Sequence, residues 1–228
     1  MHRSLRRLAG IALIALAAIA VANAQDDPTL YVVSYVEAVP ASRGQVAAML
    51  RQLADASRRE GALRFEVLQG TTQSNQFLIL ETWKNQQALD AHVSAAQTTR
   101  FRDAVAPLLA APVDVRLCVA TTVAPSREGR DGLYVVTHVD VGPGDRQSAL
   151  QFINAFAEQS RRDAGNLRFD VVHQKARTNH LTVIEIWTDD KSDDAHQLAA
   201  HTKKFRADIG PFLGALYDQR WYRTLAAP

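Results

Sequence analysis

The chain carries one sequence unit twice, and nothing else in its 228 residues limits its fold as strongly. Leu30-Tyr31-Val32-Val33 returns as Leu133-Tyr134-Val135-Val136, and Leu63-Arg64-Phe65-Glu66-Val67 returns as Leu167-Arg168-Phe169-Asp170-Val171. Glu81-x-Trp83 matches Glu185-x-Trp187, Ala91-His92 matches Ala195-His196, and Phe101-Arg102 matches Phe205-Arg206. The offset is 103 residues early and 104 later, which puts a one-residue insertion near Gly165. Such order, kept along a whole unit, is the mark of a duplication. The units span 29–120 and 133–226, and the segment 121–132 between them, rich in Pro, Gly, Ser and charge, reads as a linker.

Within a unit the hydrophobic period alternates. Residues 30–38 are β-branched and aromatic, as strands are. Ser42-x-x-Gln45 resembles a capping box, and Val46, Met49, Leu50 and Leu53 follow at helical spacing. Gly61 suits the left-handed position that ends a helix. Leu63, Phe65 and Val67 alternate as a strand, 71–75 turns the chain, and 77–83 forms another strand. Residues 88–109 read as helix in at least two pieces, and 112–120 as the closing strand, with 216–225 as its counterpart. The order β-α-β-β-α-β is the ferredoxin-like arrangement of an α+β domain. The strands at 63–68 and 77–83 carry large side chains on both faces, so both faces must be buried. Face-to-face pairing of the two copies within one chain achieves this.

The amino terminus places Arg3, Arg6 and Arg7 before an apolar run at 8–22 and the small-x-small sequence Ala22-Asn23-Ala24. That is the layout of a cleavable secretory signal covering 1–24, with the mature chain starting at Gln25 in the periplasm or medium. Removing those three arginines from 26 basic residues leaves 23 against 24 acidic, a net of −1. A near-neutral chain offers no electrostatic case for nucleic acid or an anionic membrane as partner. Cys118, the single cysteine, lies in an apolar run and reads as a buried strand residue, so the fold must stand without a disulfide. No P-loop, dinucleotide fingerprint, Cys/His metal cluster or serine elbow is present, and no cofactor or metal is expected.

The repeated pattern resembles the antibiotic biosynthesis monooxygenase family of dimeric α+β barrels. Gly61-x-Leu63-Arg64-Phe65-Glu66-Val67, Asn75-x-Phe77, Glu81-x-Trp83, Ala91-His92 and Phe101 carry the likeness. In the second copy Asn166 to Val171, Asn179, Glu185-x-Trp187, Ala195-His196 and Phe205 carry it. The resemblance implies two tandem ferredoxin-like domains packed sheet to sheet as one intramolecular barrel. Activities in the family range from cofactor-free oxygenation of quinols and anthrones to haem degradation, and some members have none known. The haem-degrading branch pairs an early-strand Asn with a helix Trp and a later ligand His. Tyr35 or His138, His92 or His196, and Arg102 or Arg206 stand near those places here, which argues against haem degradation.

On this resemblance the expected activity is cofactor-independent monooxygenation of a small aromatic quinol or anthrone-like phenol. His92 or His196 would be the base and Tyr35 or His138 the orienting donor, with Trp83, Trp187, Glu81, Glu185, Phe65 and Phe169 around the substrate. Each histidine could instead cap or pack a helix. Glu81 and Glu185 could instead pair with Arg64 or Arg168, and the tryptophans could be core. His196 and His201, five apart, diverge by about 140° on a continuous helix and do not make a helical metal pair. Because Tyr35 in one copy matches His138 in the other, the two sites are expected to differ. The expected partners are the aromatic substrate and molecular oxygen, with pairing of two such chains left open. The competing readings are a non-catalytic periplasmic protein that binds a hydrophobic small molecule and a haem-binding module.

Overall fold

A computed structural model describes residues 28–125 and 131–225. The expected signal segment and part of the linker lie outside these residues. The first repeat runs β1 (Leu30–Glu37), α1 (Arg43–Arg59), β2 (Arg64–Gly70), β3 (Gln76–Trp83), α2 (Gln86–Ser94), α3 (Ala96–Val105) and β4 (Asp114–Thr122). The second runs β5 (Leu133–Asp140), α4 (Arg146–Ser160), β6 (Asn166–Gln174), β7 (His180–Trp187), α5 (Asp190–Leu198), α6 (Ala200–Ile209) and β8 (Asp218–Thr224). Each repeat therefore has the expected β-α-β-β-α-β order, with its second helix broken in two.

The eight strands close into one barrel in the order β1-β3-β2-β8-β5-β7-β6-β4, with β4 returning to β1. All neighbours are antiparallel, and two seams join the repeats, β2 with β8 and β4 with β6. Closure joins the sheet edges at these two seams, which would otherwise lie open. Alternation along each strand divides the side chains between two layers. Val33, Leu68, Leu78, Leu80, Tyr134 and Tyr222 fill the barrel. Val32, Val36, Phe77, Ile79 and Trp83 point outward and pack against α1, as Val139, Val171, Leu181 and Val183 pack against α4 in the second copy. This explains why the central strands are apolar on both faces. Among the described residues no helix is long and apolar enough to cross a membrane.

Several local devices set the geometry. Asn75 donates its side-chain amide to the Ala38 carbonyl at 2.9 Å, and Asn179 does the same to Val141 at 2.8 Å, so each Asn clamps a strand turn to the end of the first strand. Gly61 and Gly165 adopt φ of 92° and 82°, the left-handed region expected at the end of each first helix. The inserted residue is absorbed where β6 begins, as a register shift between Asn166 and Arg168. Inside the barrel Arg168 meets Glu66 at 2.9 Å and Asp170 at 2.5 Å, an ion cluster that ties β6 to β2.

Two expectations need correction. Ser42 makes no side-chain capping bond, because a 3-10 turn at Pro40–Ser42 leads into α1 with helical backbone at Ser42. The strand β4 continues to Thr122, two residues into the segment read as linker, and Thr122 pairs with Val171 across the seam. Arg161 caps the end of α4. Its guanidinium donates to the carbonyls of Phe169 and Thr122, joining α4 to both repeats.

Candidate functional site

Glu81 lies on β3 directly opposite Val32 of β1, so its side chain emerges on the helix-covered face. Two residues on, Trp83 returns to the same face, and its indole N–H donates to Glu81 Oε2 at 2.8 Å. His92, in the last turn of α2, stacks on the Trp83 ring with centroids 4.6 Å apart and meets Phe65 edge-on at 6.0 Å. Its Nδ1 lies 2.7 Å from Glu60 Oε2 and its Nε2 lies 3.8 Å from Glu81 Oε2. In the neutral imidazole a carboxylate on Nδ1 selects the tautomer with N–H there, so that Nε2 carries the lone pair on the Glu81 side. Burial pushes the Glu81 carboxyl up, against the pull of the Trp83 N–H and of nearby His92 and Arg102.

Glu81 and His92 form the polar floor of a cavity of about 800 Å³ between the first repeat's sheet and its helices. Its walls are apolar, with Val32, Leu53, Ile79, Phe101, Val113, Val115 and Leu117 among them. Ser34, Gln86, Asp90, Thr98 and Arg102 are the other polar residues of its lining. A concave, mostly apolar space with a few convergent polar groups is the general form of a small-molecule site.

The second repeat keeps the polar pair in a different setting. His196 Nδ1 lies 2.7 Å from Asp163 Oδ2, its Nε2 lies 3.6 Å from Glu185 Oε2, and its ring lies tilted against Trp187 with centroids 4.5 Å apart. Larger side chains occupy the corresponding walls. Leu53 is matched by Phe156, which stacks on Phe205 at 4.1 Å, and Val113 is matched by Tyr217, packed against the core of that repeat. Leu117 is matched by Trp221, whose indole donates to Asp193 at 2.8 Å. Val93 and Val115 become Gln197 and Gln219, both hydrogen-bonded to Arg206. The space that is open in the first copy is thus taken up by aromatic rings and an internal hydrogen-bond network. Glu185 is 1% exposed, and burial raises its carboxyl to about 8 despite the Trp187 hydrogen bond.

That elevation has a measurable consequence. Below the ordinary value of 4.5 both folded and unfolded chains carry the proton on Glu185. Between 4.5 and about 8 only the folded chain keeps it, so stability falls as pH rises through this window and levels above it. Glu185→Gln retains an acceptor for Trp187 and removes the titration. Thermal melts from pH 5 to 8 should therefore show a shallower decline in the variant than in the parent, and parallel curves would disprove the assignment.

The structure does not bring all the expected residues together. Tyr35 and His138 sit on the opposite face of their strands, toward the barrel, away from His92 and His196. The Tyr35 ring is stacked by Arg116 at 4.7 Å and Arg220 at 5.5 Å, and His138 lies beside Asp140. Neither can act as donor in the helix-side cavity. Trp83 and Trp187, both 0% exposed, lie behind the histidines and do not wall the cavity. Phe65 and Phe169 pack edge-on to His92 and His196. Neither Arg64 nor Arg168 pairs with Glu81 or Glu185, because Arg64 approaches Glu66 and Arg168 serves the barrel cluster. His196 and His201 fall on separate helices, since Ala199 is extended at φ −61° and ψ 147°, and both face Asp163. They are therefore not two positions on one continuous helix. Glu60 and Asp163 were not singled out from the sequence, although each ends the repeated Ser-Arg-Arg-acid run.

The antibiotic biosynthesis monooxygenase family model matches the chain twice, over 29–104 and 132–208. A Fusobacterium nucleatum protein, FN1347, named provisionally as a monooxygenase, superposes with a TM-score of 0.78 at 14% identity, covering 88% of this chain and 94% of its own. A protein described as anthrone oxidase-like superposes with a TM-score of 0.70 at 15% identity, covering 87% and 92%. The Synechocystis protein sll1783, described as uncharacterized, is 28% identical over 93 residues, which span 40% of this chain and 63% of that protein. With both halves matched and the barrel formed between them, the chain belongs to the antibiotic biosynthesis monooxygenase family as a tandem duplication.

Proposed function

We propose that the chain is an oxygenase of small electron-rich aromatics, quinols or anthrone-like phenols, working through its first repeat alone. The observation that carries this is the open apolar cavity of about 800 Å³ with Glu81 and His92 at its floor, set against the filled counterpart in the second repeat. A phenol bound there would present its hydroxyl to His92 Nε2. Glu60 fixes the imidazole through Nδ1, and Glu81 stabilises the imidazolium once the proton has moved. The resulting anion is electron-rich enough to reduce oxygen. One oxygen atom enters a ring carbon as a carbonyl, and the other leaves as water with the phenolic and ring hydrogens. The dry apolar walls keep the anion reactive.

The expected site of action is outside the cytoplasm, with Gln25 as the mature terminus, and intact-mass measurement of exported protein checks this. The decisive assay is oxygen uptake with anthrone or a simple quinol as substrate. Uptake that depends on the protein, with one water formed per oxygen consumed, supports the oxygenase. Saturable binding without uptake supports a carrier of hydrophobic small molecules built on the same cavity.

A further inference from the structure

We propose that His138, Asp140 and His180 of the second repeat form a binding site for a first-row divalent cation such as zinc. They lie at the end of the barrel, outside the helix-side cavity, and the proposal is independent of the oxygenase reading. His138 Nε2 is 2.8 Å and His180 Nδ1 is 2.6 Å from one and the same oxygen, Oδ1 of Asp140. The three ligand atoms lie within 4.8 Å of one another. Yet Asp140 Oδ1 is buried and accepts no hydrogen bond of acceptable geometry. A buried carboxylate oxygen without such a bond carries a desolvation cost, which a cation relieves.

The set is rigid and therefore preorganised. Asp140 and His180 are direct partners in the β5–β7 ladder, and His138, two residues before Asp140, projects from the same face. Tetrahedral zinc with ligands at ~2.0–2.2 Å separates its donor atoms by roughly 3.3–3.5 Å, so each donor need move by less than about 1 Å. The side chains are 14–19% exposed, which leaves a side open for water to complete the coordination. Two imidazoles and one carboxylate suit borderline cations of the zinc, cobalt and iron type better than calcium or magnesium.

The first repeat lacks both histidines. Tyr35, Glu37 and Gln76 occupy the three corresponding positions, so the fold accepts non-ligating residues at the two histidine positions. Arg116 lies close enough to His138 and Asp140 to interact with both and weakens cation binding. Asp114 holds that guanidinium by bonds of 2.7 and 3.0 Å and offsets part of its charge.

Titration of the metal-free full chain with Co²⁺, followed by visible absorption, and with Zn²⁺, followed by calorimetry, tests the site. One equivalent is expected to bind. His180→Gln and His138→Tyr, which install the first repeat's residues, should each weaken binding by more than about tenfold, since even outer-shell changes cost 10–100-fold. His201→Gln, which alters the cluster around Asp163, should leave binding unchanged. Circular dichroism confirms the fold of each variant. Absence of binding in the parent, unchanged binding in both folded ligand variants, or loss confined to His201→Gln would each overturn the proposal.

Discussion

His92→Ala is expected to lower turnover of an anthrone or quinol by about 10²–10⁴-fold, the usual contribution of a general base, while His196→Ala leaves turnover nearly unchanged. The two residues are matched in sequence, packed against matched tryptophans and held by matched acids, Glu60 and Asp163. Only their surroundings differ. His92 opens onto the cavity, whereas His196 lies against Phe156, with centroids 5.5 Å apart. A purely structural role for both would give the same small loss in each variant, traceable to instability. Rates must therefore be normalised to folded protein, because each substitution leaves a buried carboxylate without its imidazole. If both variants lose little activity, neither imidazole is the base. If His196→Ala is the more damaging of the two in correctly folded protein, the assignment of the working repeat is wrong.

The asymmetry has a physical logic. A duplicated domain begins with two equivalent cavities, and each new large side chain in one of them adds buried apolar area. In the second repeat Phe156, Tyr217 and Trp221 supply that area, and the network of Asp193, Gln197, Arg206 and Gln219 satisfies the polar atoms trapped with them. An open cavity forgoes this stabilisation, as active sites commonly do. One copy thereby retains the space for a ligand while the other stiffens the barrel they share.

Much of the fold was legible in the sequence because the repeat sets the domain count and period-2 alternation marks strands apolar on both faces. What alternation cannot supply is the neighbour of each strand. Hence the seams of β2 with β8 and β4 with β6 appear only in the structure. The same limit explains Tyr35. Its place on β1 suggested the cavity, but the ladder pairs Val32 with Glu81 and Tyr35 with Leu78, so it shares a face with the barrel interior. Glu81 and His92 were legible because both stand in repeated motifs. Their partner Glu60 follows a helix end, where an acid looks like any solvated charge. The filling of the second cavity did leave a signal, in Tyr217 and Trp221 standing where the first copy has Val113 and Leu117.

That signal supplies the sharpest test of where the ligand binds. Placing the second repeat's aromatic residues into the first, as Val113→Tyr with Leu117→Trp, should abolish binding of anthrone and all oxygen uptake while leaving the fold intact. Both positions line the cavity, and the added rings have room that core substitutions seldom offer. Burying a large apolar side chain contributes about 1.5–3 kcal/mol, and overpacking costs about 1–3 kcal/mol, so the expected change in stability is close to zero. The tyrosine hydroxyl has Ser34, Glu81 and Arg102 on the same cavity lining to meet it, much as Tyr217 lies near Glu185 and Arg206. Loss of activity at unchanged melting temperature separates occlusion from unfolding, which no single deletion of a site residue does as cleanly. Full turnover in the filled variant would place the reaction elsewhere in the chain. Loss of turnover with anthrone binding retained would keep the ligand elsewhere and reduce the cavity to a support for His92.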